Sequence, residues 1–129
     1  MINYRKKDYF QRILEEFFEK LRILINKREA HADDKELRNS INDCYKFFAD
    51  YFEVTKSDSP NEIIRKVEYE ELIEQYARLL FTEYTTLDIK HESNLSDALY
   101  LVEYLQKTDS AFSWDRTILR EDILRVMRA

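Results

Sequence analysis

The densest apolar pattern in the chain runs from Glu68 to Leu87. Tyr69, Leu72, Ile73, Tyr76, Leu80, Tyr84 and Leu87 recur at three- and four-residue steps and so mark one face of an α-helix. Ala77, Leu79 and Phe81 widen that face, and Glu71, Glu74, Gln75 and Arg78 leave only a narrow polar strip. A helix apolar around most of its girth is covered on several sides. This segment is therefore expected to be a central helix with the rest of the chain packed around it.

The flanking segments repeat the same period. Residues 4–28 form a long amphipathic helix with Phe10, Ile13, Leu14, Phe17, Phe18, Leu21, Leu24 and Ile25 on its apolar side. A polar stretch follows, and Asp33, with Glu36 three residues on, predicts a capped helix start. Leu37, Ile41, Cys44, Tyr45, Phe48 and Phe52 are the buried stripe of that second helix, antiparallel to the first across a short loop. Ser59-Pro60-Asn61-Glu62 combines a serine cap, proline in the first turn and a glutamate that reaches back to the cap. A short helix with Ile63, Ile64 and Val67 begins there, and the pattern leaves open whether it bends near Glu68. Asn94 is expected to cap a further helix with Leu95, Ala98, Leu99, Val102 and Leu105 inward. Ser113 caps the last, where Trp114 pairs with Ile118 ahead of Leu119, Ile123, Val126 and Met127, while Arg116, Arg120 and Arg125 face out.

The expectation is one all-α domain over residues 1–129. Five or six antiparallel helices either stack as helical hairpins or close into a compact bundle. Composition sharpens this. The 129 residues include no glycine and one proline, and tight β-hairpins need glycine where φ is positive. Apolar and aromatic residues make up 44% of the chain, enough for a core.

Charge and cysteine count narrow the function classes. A net charge of −5 disfavours generic binding to nucleic acid or anionic lipid. The basic groups Arg5, Lys6 and Lys7 beside Tyr4 and Tyr9, and the arginines of the last helix, are small clusters with acids between them. The single cysteine, Cys44, excludes an internal disulfide and a cysteine zinc cage, and suits a reducing cytoplasm. The opening MINYRKKDYF carries no apolar run of signal-peptide length, and no segment approaches the roughly 20 apolar residues of a membrane span.

Catalytic and metal signatures were sought and do not assemble. His91-Glu92 starts like a zinc-protease motif, but Leu95 stands where the second histidine belongs. His31-Ala32-Asp33-Asp34 reads as a capping loop. The acidic run Glu68, Glu70, Glu71 and Glu74 lacks the histidines of a carboxylate di-metal site and reads as a solvated face. Without glycine there is no phosphate-cradling loop. Neither a cofactor nor a metal is expected.

Two stretches resemble a known group: Asp8-Tyr9-Phe10-Gln11-Arg12-Ile13, and Asp97-Ala98-Leu99-Tyr100-Leu101-Val102-Glu103-Tyr104-Leu105 followed by Phe112-Ser113. On these residues the chain resembles uncharacterised bacterial helical proteins described as tetratricopeptide-like. The repeat pattern is met in part, by Ala77 and Leu80 in a first helix and Ala98, Val102 and Leu105 in a second. The linker between them is about twice the usual length, the glycine is missing and there is no second clean copy. The resemblance implies a helical-hairpin scaffold with no known reaction that binds another protein.

The surplus of aromatic residues points the same way. Phe47 with Tyr51, and Tyr100 with Tyr104, fall off the buried stripes. Aromatics are favoured where a protein meets a partner. These four are the expected anchors for a partner's apolar segment, unless a neighbouring helix covers them. The alternative function is a self-assembling homodimer that uses the first helix or the same aromatics as its seam. A small enzyme or metal-carboxylate protein is a third.

Overall fold

The computed structural model describes the backbone of residues 2–129 and the side chains from residue 8 onward. The side chains of Tyr4, Arg5, Lys6 and Lys7 lie outside the described residues. Six helices follow one another: α1 (Ile2–Glu29), α2 (Asp34–Phe52), α3 (Pro60–Val67), α4 (Glu70–Thr86), α5 (Glu92–Thr108) and α6 (Trp114–Arg128). There is no strand among the described residues.

The helix starts follow the capping chemistry closely. Asp33 Oδ1 accepts from the Glu36 backbone N–H at 2.9 Å, and Ser113 Oγ accepts from that of Arg116 at 3.2 Å. At Ser59 the reciprocal box is complete: the Glu62 N–H donates to Ser59 Oγ at 3.3 Å, and the Ser59 N–H donates to Glu62 Oε1 at 3.2 Å. One expected cap is corrected. α5 begins at Glu92 with no side-chain cap, and Asn94, already inside the helix, points its amide across to α4.

The chain turns without glycine by placing His31, Glu53 and Glu68 in positive φ, at 56°, 59° and 69°. Each such residue with a Cβ costs on the order of 1 kcal/mol. Glu68 settles the open question of the sequence: α3 stops at Val67, the Tyr69 N–H donates to the Val67 carbonyl at 2.8 Å, and α4 starts at Glu70.

α4 is the centre of the domain. It packs against α2, α3, α5 and α6, while α1 lies on α2 and α3 wedges among α2, α4 and α5. Leu72, Ile73, Tyr76, Ala77 and Leu79 of α4 are buried, and so are Leu95, Ala98, Leu101, Val102 and Leu105 of α5. The α1–α2–α4 side of the core is aromatic. Phe48 meets Phe17 at 5.1 Å, Phe47 at 5.2 Å and Tyr76 at 4.9 Å between ring centroids, all edge-on. Such geometry adds roughly 0.5–1.5 kcal/mol per pair beyond the area buried.

Candidate functional site

Two buried polar clusters fix α4 among its neighbours. Near its C-terminal end, Glu83 accepts from the Tyr45 hydroxyl at 2.6 Å, from Lys56 Nζ at 2.9 Å and from Asn94 Nδ2 at 2.8 Å. The Asn94 amide also donates to the Leu80 carbonyl at 3.1 Å. One carboxylate thus ties together α2, the loop after it, α4 and α5. Burial pushes the carboxyl of Glu83 up, but its three donors outweigh that and hold it below the ordinary value of 4.5. Burial, and then donation to Glu83, raises the Tyr45 phenol so that it stays neutral.

This gives a pH prediction. A carboxyl depressed by folding contributes stability that is fully present above its unfolded pKa and is lost as pH falls through the folded one. Unfolding free energy should therefore drop as acid is added below pH 4.5, with a contribution from Glu83 that Glu83→Gln removes. Urea titrations of both proteins at several acidic pH values would show it. Parallel acid limbs would mean the depression is absent.

Near the N-terminal end of α4, Arg116 is only 5% exposed. Its Nε donates to Glu74 Oε1 at 2.8 Å and its Nη2 to Asp109 Oδ2 at 3.1 Å. This corrects the outward placement expected from periodicity. Glu74 is likewise buried rather than solvated. Asp109 is held below the usual carboxylate range, chiefly by the Ala111 N–H and then by Arg116. Glu70, beside it, is raised by burial and by sharing a hydrogen bond with Asp109.

The aromatics expected as anchors separate into different environments. Phe47 is 2% exposed and belongs to the core, because α1 lays Phe17 against it at 5.2 Å. Tyr104 is half-buried against the core. Tyr51 is 40% exposed, with its ring 4.9 Å from that of Phe47. Tyr100 is 47% exposed, and its hydroxyl donates to Asn61 Oδ1 of α3 at 2.7 Å. The two exposed tyrosines stand on different helices with different neighbours, and the structure does not gather the four into one surface.

A different surface is gathered instead. α1 and α6 flank α4 without packing extensively on each other. Between them lie two cavities, of about 560 Å³ and about 230 Å³. Their floors are Glu71, Glu74 and Gln75 in the first, and Arg78, Phe81, Thr82 and Thr85 in the second. These positions recur at helical steps, so both floors are one face of α4 and the cavities are halves of a single groove. From residue 71 to 85 the groove runs about 21 Å, or roughly four helical turns. The polar strip noted in the sequence is its floor. Leu14, Phe18, Leu21 and Ile25 line one wall, at steps of four, three and four residues on α1. Phe18 and Ile25, expected inside, are substantially exposed there.

Phe112 lines the first cavity and Trp114 stands beside it, the two 71% and 72% exposed with rings edge-on at 5.0 Å. Ile118, one turn after Trp114, is also exposed, so the expected inward pair at the start of α6 faces solvent. Phe112 was absent from the expected anchors because it lies in a loop, where periodicity says nothing. Its one visible signal is being an aromatic immediately before a serine cap.

Among the described residues, no group of three or more His, Cys, Asp or Glu is arranged to hold a metal ion, and no helix is long and apolar enough to cross a membrane. No known protein family, curated protein or solved structure matches this chain.

Proposed function

We propose that this protein is a non-enzymatic helical-hairpin interaction module, a degenerate tetratricopeptide-like scaffold that seats an apolar segment of another protein in the groove between α1 and α6. The observation that carries this is an exposed aromatic pair, Phe112 on the lining of a groove with an apolar wall and Trp114 beside it. Large rings exposed together are costly unless something covers them, and rigid aromatics at a concave site are the usual anchors of a partner. Tyr51 and Tyr100 keep their exposure and act as outlying contacts. Phe47 and Tyr104 leave the anchor set. The buried thiol of Cys44, which burial pushes up to about 11, is unreactive and suits work in the cytoplasm.

Self-assembly is the competing use of the same surface. By light scattering over a roughly hundredfold dilution, the protein should hold the mass of a single chain. Phe112→Ala combined with Ile118→Ala should keep that mass and lose less than about 0.5 kcal/mol of stability. A dimer that dissociates in the double variant would assign the surface to a second copy and remove the partner reading.

A further inference from the structure

We infer that the segment seated in the groove is an amphipathic helix whose basic residues are concentrated at one end. The inference rests on the interaction-module reading and adds the chemistry of the partner.

The groove is electrically uneven along its length. Its end near the start of α4 carries Glu71, Glu74, Asp109 and Asp115 against Arg116, with Arg78 reaching back to within 3.7 Å of Glu74. Arg116 is consumed by Glu74 and Asp109. Glu71 and Asp115 are exposed and form no ion pair among the described residues. The other end carries Arg28 and Arg78 against Asp122. A ligand with positive charge spread along its whole length would meet those arginines. A ligand with Lys or Arg in its first or last turns alone matches both ends.

The walls specify the rest. The apolar stripe on α1, Leu14 to Ile25, has helical spacing over about three turns, which suits the apolar face of a helix of similar length. Hydrogen bonding gives a second reason. An extended strand would need free backbone donors and acceptors along the groove, and helices α1, α4 and α6 satisfy theirs internally. Nucleic acid is disfavoured at the acidic end by repulsion of its phosphates.

The single tryptophan, Trp114, has its ring 5.0 Å from that of Phe112, which lines the groove, and so reports occupancy through its emission. Three synthetic peptides of about 16 residues would share one leucine stripe at helical spacing and differ only in one terminal turn, which carries Lys, Gln or Glu. At roughly 50 mM salt the Lys peptide should bind roughly tenfold more tightly than the Gln peptide and the Glu peptide more weakly still, with the differences shrinking at roughly 500 mM. Glu71→Gln with Asp115→Asn should erase the Lys advantage, so that the Lys and Gln peptides bind alike, with a small drop in the unfolding midpoint because both are first-turn acids of their helices. Equal binding of the Lys and Gln peptides at low salt would overturn the basic-end inference and leave the interaction module standing. If no peptide shifts the Trp114 emission and the chain is dimeric, both readings fall.

Discussion

Replacing Arg116 with alanine should cost about 3–5 kcal/mol, a large part of the roughly 5–15 kcal/mol that holds a domain of this kind together. The loss does not measure the worth of the ion pair. Taking two charges out of water is expensive, and their attraction roughly repays it. The damage comes from what remains: the Glu74 carboxylate, 8% exposed, keeps its burial, loses the guanidinium that donates to it and is left with Arg78 at 3.7 Å. Asp109 loses a donor as well, so the end of α5 and the start of α6 come loose from α4 together. Urea denaturation at neutral pH measures the effect. Substituting all three, as Arg116→Met with Glu74→Gln and Asp109→Asn, should recover much of it, since no unpaired charge is then buried. A loss below about 1 kcal/mol in Arg116→Ala would mean that water reaches Glu74 and that the cluster is a surface feature.

Phe48→Ala should cost a similar amount, about 3–5 kcal/mol, by a different route. Phe48 is fully buried and touches rings from three helices, Phe17 on α1, Phe47 and Phe52 on α2 and Tyr76 on α4. Truncation opens a cavity where α1, α2 and α4 meet. Tyr51→Ala, one turn on and exposed, should cost less than about 1 kcal/mol. Parallel chemical denaturation of the two variants separates core from surface on the same helix. Comparable losses would show that Tyr51 is an integral part of the aromatic cluster.

The helices were legible because their information is local. Periodic apolar residues, the caps at Asp33, Ser59 and Ser113, and the absence of glycine each act within a few residues, and α4 emerged as the central helix for that reason. The polar interior was not legible. Arg116 finds Glu74 across 42 positions and Tyr45 finds Glu83 across 38. On a helical wheel a buried arginine looks the same as a solvated one. Phe47 illustrates the converse: it lies off the stripe facing α4, but α2 has a second neighbour in α1, and a stripe argument assumes one. The groove was half legible. Its floor shows in the sequence as a polar strip on an apolar helix, but only the position of α1 and α6 makes a strip into a floor.

The glycine-free chain has a consequence for the denatured state. Glycine is the residue with most backbone freedom to lose on folding, and a chain of this length would ordinarily contain about nine. With none, the unfolded ensemble is narrower, by about 0.4–1 kcal/mol for each site where a side chain replaces glycine without strain. Among the described residues, positive φ falls at His31, Glu53 and Glu68, all at helix ends. Part of what favours the fold therefore lies in no contact of the native protein. It lies in the conformations that the disordered chain does not have.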